Sequence, residues 1–201
     1  MSDLVEKIEK KEPVVFLSGK RIYMRPVELA DAPVLQRYAN DPDVRRMVSN
    51  QFPHSLISEE EWIKKISKDN TKEVILAIVL KEIDQVIGVM GLHAINWKDR
   101  TATTGALIGK EEWRGKGYGT EAKMLLLNHA FNELNLRKIS SAALEFNGLS
   151  LGFNAKCGYK EEGRQKKHVF VSGGYSDLVL TAVFREDFLP LWQVYKRDHL
   201  S

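Results

Sequence analysis

Hydrophobic and polar positions change period several times along this chain, and the changes mark its elements. Residues 1–13 alternate charges without an apolar face and read as a charged leader closed by Pro13. From 14 to 25 the pattern becomes extended, with Ile22 and Met24 alternating against Tyr23 and Arg25, which predicts a strand that Pro26 ends. Asp31 is placed to cap a helix reaching Asn40, with Pro33 tolerated in its first turn. Asp41 and Pro42 break it; a short helix over 43–48 and a loop containing Pro53 follow. Ser58, with Glu61 three positions on, has the form of a capping box and predicts a helix that buries Trp62, Ile63 and Ile66 and ends near Asn70.

Two apolar runs, 74–80 and 86–92, flank a turn centred on Asp84 and predict an antiparallel hairpin. A third strand is expected over 101–109. After a glycine-rich segment comes a strong helix over 120–134, where Ala122, Leu126, Ala130 and Leu134 recur every four residues and Met124, Leu127 and Phe131 widen the face. A short strand over 138–144 precedes a helix that Asn147 caps and Gly158 stops. The last strand pair begins at Tyr159 and ends with 175–184, with Lys166, Lys167 and His168 read as its turn. Pro190 lies in an amphipathic tail over 189–201. Runs of strands broken by a few helices predict an α+β, mixed α/β architecture in one domain over 14–188.

Composition narrows the class. The chain has 201 residues, 43% of them hydrophobic and 28% charged, which is enough apolar material for one folded core. Its net charge of +3 is spread among comparable numbers of acids and bases. That argues for a solvated surface and against a direct nucleic-acid face. Cys157 is the only cysteine, so no internal disulfide can form, which suits a reducing compartment. The N-terminus has no apolar signal core, and no run approaches the roughly 20 apolar residues of a membrane span. A cytoplasmic protein without a membrane partner is expected. No clustered metal ligands and no Ser/His/Asp arrangement stand out, so no metal is expected.

The segment Glu111-Glu112-Trp113-Arg114-Gly115-Lys116-Gly117-Tyr118-Gly119-Thr120 lies between a strand and a long helix. Amides at a helix start are unpaired and carry the positive end of the dipole, and glycines let a diphosphate approach the backbone closely. Arg114 and Lys116 can add charge. The spacing matches neither a Walker loop nor the G-x-G-x-x-G dinucleotide pattern.

Arg114-Gly115-Lys116-Gly117-Tyr118-Gly119 resembles the R/Q-x-x-G-x-G/A motif of the GNAT superfamily of N-acetyltransferases. The resemblance extends to Leu107-Ile108-Gly109 before the motif and Glu121-Ala122 after it. It also takes in Asn147-x-x-Ser150, Lys156-Cys157-Gly158-Tyr159 and Glu161-Glu162-Gly163. It covers about 15–188 and is nearest the RimJ/RimL-like branch that acetylates ribosomal-protein N-termini; polyamine acetyltransferases share much of it. What it implies is a central, mostly antiparallel, V-splayed sheet flanked by helices, with acetyl-CoA as cosubstrate. The backbone of Leu107, Ile108 and Gly109 would pair with the pantetheine arm. The amides of Arg114, Gly115, Lys116, Gly117, Tyr118, Gly119 and Thr120 would hold the pyrophosphate, and Asn147 and Ser150 would lie near the pantetheine. The acceptor implied is a primary amine, a protein or peptide N-terminus or else a polyamine or small amine; a non-catalytic CoA-binding module is the other alternative. A homodimer is left open.

Acetyl transfer needs a neutral amine, a polarised thioester carbonyl and a proton for the departing thiolate. The amide of Leu107 or Ile108 is the expected polarising group. The family often places a tyrosine seven residues after the asparagine as the acid; here that position is Asn154, so the acid is unassigned. His93 and Glu145 are candidate bases, with His168 a third, each with a plain reading as a surface residue. Cys157 ends a helix, and direct transfer needs no acyl-cysteine. An α-amine near 7.7–8.0 is about one-tenth neutral at pH 7 and a lysine near 10.4 only about four parts in ten thousand, so the lack of an obvious strong base favours an α-amine. Glu59, Glu60 and Glu61 would favour a polycation if they formed an acidic pocket.

Overall fold

The computed structural model describes residues 13–48, 50–69 and 71–200, so nearly all of the charged leader lies outside the described residues. The first expected strand is two: β1 (Leu17–Ser18) and β2 (Ile22–Pro26), separated by a tight turn in which the Gly19 amide bonds to Ile22 O. A side chain at Gly19 would collide with Glu121, so the chain turns where it comes closest to the later helix.

Three helices follow: α1 (Ala32–Asn40), α2 (Pro42–Val48) and α3 (Leu56–Ile66). The cap of α3 is Ser55, whose Oγ accepts from Ser58 N at 3.0 Å. The serine read as the cap is the third residue of the helix, because two serines at the same spacing compete and the earlier one takes the amide.

Strands β3 (Val74–Leu80), β4 (Gln85–Asn96) and β5 (Thr101–Ile108) then form an antiparallel meander. β4 runs four residues beyond the expected end. The expected long helix is α4 (Tyr118–Asn128) continued by one π-helical turn over His129–Glu133. Next come β6 (Lys138–Leu144), α5 (Gly148–Lys156), β7 (Lys160–Val171), β8 (Gly174–Phe184) and α6 (Arg185–His199). Phe188 and Trp192 of α6 are buried in the main core.

The eight strands form one sheet in the order β1-β2-β3-β4-β5-β6-β8-β7, and among the described residues β5–β6 is its one parallel pair. β7 is an edge strand whose outward lysines, arginine and glutamates protect it from pairing with another chain. Lys166, Lys167 and His168 are not the turn. They bulge together opposite Asp177, whose carboxylate accepts from Lys167 N and Lys166 Nζ, while the hairpin turns at Ser172 and Gly173 with positive φ. The signal that misleads is basic clustering: the bulge is held by one acid across the ladder, which no local pattern in β7 reveals.

α4 is buried almost all round. It packs against β1, β2 and β4 on one side and α5 and α6 on others, and Leu126, Leu127, Ala130 and Phe131 form the centre of the core.

Candidate active site

β5 and β6 pair only over Thr101–Thr103 and Lys138–Ser140. Beyond that point β5 stays with β4 and β6 stays with β8, so the sheet splits into a wedge. A cleft of about 350 Å³ occupies the split. Its walls are Ala106, Leu107 and Ile108 of β5, the start of α4, one face of α5, and Val44, Met47 and Val48 of α2.

The glycine-rich turn is built to leave donors open. Gly117 has φ 86° and ψ 0°, a left-handed conformation that costs a side-chain-bearing residue energy, and Gly115 has φ 72°. Gly117 is the N-cap of α4 and offers no side chain, whereas Ser55 caps α3 and Asn147 caps α5. The first amides of α4 therefore have neither a carbonyl four residues back nor a capping oxygen. A side-chain carbon at Gly119 would lie 3.7 Å from Phe153, an ordinary contact, so the protein itself leaves this space beside the cleft open.

A residue outside the motif sets the turn. Glu121, buried in α4, accepts from Arg21 N at 2.8 Å, Arg21 Nε at 2.9 Å and Ile22 N at 3.3 Å. Arg21 in turn donates to Lys116 O at 2.8 Å and lies over the Tyr118 ring. Arg114 donates to Ile108 O and Gly109 O, clamping the turn to the end of β5.

Of the residues expected to hold a cofactor, Leu107, Ile108, Arg114, Gly115, Gly117, Gly119, Thr120, Asn147 and Ser150 line the cleft. Gly109, Lys116 and Tyr118 are not among its lining residues: Gly109 is packed against the Tyr38 ring, and Arg21 engages Lys116 and Tyr118. Asn147 Oδ1 caps α5 through Ser150 N at 3.0 Å, and its Nδ2 reaches Met47 O at 3.2 Å, tying α2 to the cleft wall. Sequence reading missed Leu149, Gly152, Phe153 and Lys156, although their spacing of three, one and three marks a single helical face. It also missed α2, which only the tertiary fold brings here.

The candidate bases sit elsewhere. His93, half-exposed on β4, is 3.6 Å from Glu73 through Nδ1, and its ring fills the space left by Gly105. Glu145 Oε1 accepts from Ser176 Oγ and Asp177 N, holding the end of β6 to β8. His168 lies exposed in the β7 bulge. None of the three lines the cleft. Asn154 is 1% exposed, with Nδ2 on Ser141 Oγ at 3.1 Å. The position where the family often has a tyrosine is therefore enclosed and is not among the cleft's lining residues. Cys157 is fully buried, and burial pushes its thiol up to about 12, far from a nucleophilic thiolate. Among the described residues no His/Cys/Asp/Glu group could hold a metal, and no helix is long and apolar enough to cross a membrane.

Comparison with known proteins agrees with this architecture. A family model described as "Acetyltransferase (GNAT) domain" matches residues 21–160. The chain is 27% identical to N-acetyltransferase p20 of Bacillus licheniformis over 86% of its own length and 97% of that protein's. It is 23% identical to the spermidine N(1)-acetyltransferase of Escherichia coli K12, over 86% of this chain and 90% of the other. The crystal structure of spermidine N-acetyltransferase from Vibrio cholerae in complex with CoA and spermine superposes with a TM-score of 0.77 at 24% identity, covering 84% of this chain and 98% of that one.

Proposed function

This chain belongs to the GNAT acetyltransferase family and is an N-acetyltransferase that uses acetyl-CoA; from that premise we propose that its acceptor is the α-amine at a polypeptide N-terminus. The cofactor's diphosphate lies against the open amides of the glycine-rich turn, with Lys156 adding charge. Its pantetheine runs along Leu107 and Ile108 into the wedge. An amide of that strand polarises the thioester carbonyl, and the incoming amine attacks from the α2 side. Positioning of the two reactants supplies much of the rate, since the acceptor brings its own nucleophile.

The observation that carries the choice of acceptor is charge. The cleft walls hold Arg114 and Lys156 and no carboxylate. Outside its lining, Glu145 is bonded to β8, and Asp177 is bonded to Lys166 and Lys167, which hold its carboxyl below the usual carboxylate range. The acidic trio of α3 is divided: Glu59 is buried 3.5 Å from His54, Glu60 pairs with Lys64, and of the three Glu61 alone faces solvent as an exposed carboxylate. A spermidine-like polycation finds little free negative charge in these places. Apolar surface is abundant instead. Phe170 and Tyr175 form an exposed ring pair on the β7–β8 hairpin, and Gln51 reaches Phe170 O at 3.2 Å beside exposed Phe52. Such a surface suits peptide side chains and backbone.

Relatedness to spermidine N-acetyltransferases supports the second reading, a polyamine acceptor. Steady-state thiol release with acetyl-CoA decides between them. The proposal expects a higher kcat/KM for short peptides with a free α-amine than for spermidine; spermidine preferred by tenfold or more would replace it with the second reading.

A further inference from the structure

Thr103 with Ser140 is the last β5–β6 pair, so Thr104 and Ser141 are the first residues past the fork of the wedge. Both are buried, and each hydroxyl is met by a helix side chain. Lys123 of α4 donates Nζ to Thr104 Oγ1 at 2.7 Å, and Tyr159 OH lies 2.9 Å from the same oxygen. Asn154 of α5 donates to Ser141 Oγ, and its Oδ1 is a buried acceptor with no partner in the protein.

Lys123 is 1% exposed. Its Nζ lies 4.9 Å from the Phe153 ring centre and 5.1 Å from that of Tyr159. The titratable groups facing it are Tyr159 and Cys157, both pushed upward by burial, and no carboxylate pairs with it among the described residues. Thr120, one turn earlier on α4, and Phe153 both line the cleft. A core has no use for a buried, unpaired amine, since a leucine or methionine would fill the volume without the desolvation cost. The fold instead sets an amine and two hydroxyls at the fork of the wedge.

We propose that Lys123, acting through the Thr104 hydroxyl, supplies the proton that the departing thiolate of coenzyme A takes up. This rests on the acetyl-transfer reading above. The acceptor nitrogen bonds to the acetyl carbon, the C–S bond breaks, and its electron pair stays on sulfur. Thr104 gives its hydroxyl proton to sulfur while taking one from the Lys123 ammonium, which becomes a neutral amine. The acceptor's surplus proton passes to water, and Lys123 recovers one from water, so each turnover moves one proton from amine to thiol. The Thr104 proton is available: its contact to Ser140 O is a long 3.3 Å. Burial lowers Lys123 to about 7. That lies below an alkyl thiol near 8.5, so the transfer runs downhill while roughly half of the lysines are charged at pH 7. Neither residue is among the cleft's lining: Thr104, two positions before Ala106 on β5, is the group the sulfur must reach at the fork, and Lys123 is a positioning residue and proton store behind it.

The test uses single-turnover acetyl transfer from acetyl-CoA to a tetrapeptide with a free α-amine, from pH 6 to 9, with CoA affinity measured in parallel. Lys123→Met and Thr104→Val are expected to lose about a hundredfold in rate, the low end for general acid catalysis, with CoA affinity within threefold. Thr104→Ser, which keeps the hydroxyl, restores most of the rate lost in Thr104→Val. After correction for ionisation of the peptide amine, the wild-type rate falls as pH rises through about 7, and Lys123→Met lacks that limb. Lys123→Met within twofold of wild type with the limb intact, or Thr104→Val as fast as wild type, overturns the inference alone. Wild type inactive toward the peptide and toward spermidine overturns the acetyl-transfer reading and this inference with it. If Lys123→Met does not fold, the two Thr104 variants decide.

Discussion

Lys123 makes the stability of this protein depend on pH with a defined sign and size. Its folded-state pKa is lowered by burial from 10.5 to about 7. Between those values the unfolded chain binds a proton that the folded chain does not, so stability rises with pH across the window and is flat in this group below it. Integrating the two titrations gives a contribution of about −4 kcal/mol at pH 7 and about −2 kcal/mol at pH 9. Lys123→Met removes the titration and keeps the volume, while Thr104 retains its contacts to Tyr159 and Ser140 O. The variant is therefore expected to be the more stable protein at pH 7, by about 2 to 3 kcal/mol after the lost hydrogen bond of about 1 kcal/mol. By pH 9 the two proteins converge to within about 1 kcal/mol. Urea unfolding followed by the fluorescence of the four tryptophans measures both curves at each pH. Parallel stability profiles for wild type and Lys123→Met between pH 7 and 9 would refute the lowering of the Lys123 pKa by burial in this core.

Three further substitutions probe the cleft. Gly119→Val meets only Phe153 inside the protein, so its melting temperature should stay within a few degrees while CoA affinity by calorimetry falls at least tenfold; affinity kept within threefold would make the turn purely structural. Glu121→Gln weakens the acceptor of three donors that hold the turn to β2. It should cost about 2 kcal/mol in chemical unfolding and weaken CoA binding, and an unchanged value in both would show that the anchor is idle. Asn154→Tyr forces a phenol into a fully enclosed seat and should destabilise by about 3 kcal/mol with lost turnover; a stable, faster enzyme would show that the seat opens to the cleft.

Much of this was legible in the chain because local and tertiary signals agree. The α4 face, the hairpin around Asp84 and the left-handed glycines before α4 follow from periodicity and backbone sterics. The wedge does not follow from them. It depends on β6 leaving β5 after three pairs, and it entered the sequence reading only through resemblance. Lys123 was hidden for a physical reason: a lysine between apolar helix positions reads as the wet edge of an amphipathic helix, yet α5 and α6 cover the sides of α4 away from the sheet. Arg21 was hidden by distance, since its partner lies 100 residues on. Ser58 and the basic bulge of β7 show the opposite error, in which a local pattern fits and a competing partner, Ser55 or Asp177, decides the outcome.

The central claim is transfer of acetyl from acetyl-CoA to a polypeptide α-amine, and locating the transferred group tests it most directly. The protein is incubated with acetyl-CoA labelled in the acetyl group and a peptide carrying both a free α-amine and a lysine, with spermidine present at equal concentration. Fragment mass spectrometry then reads where the label goes. The account predicts label on the peptide α-amine with equimolar release of free thiol, and little on the lysine or on spermidine. Label chiefly on spermidine or on the lysine side chain, or thiol release that does not exceed the rate without acceptor, would contradict it.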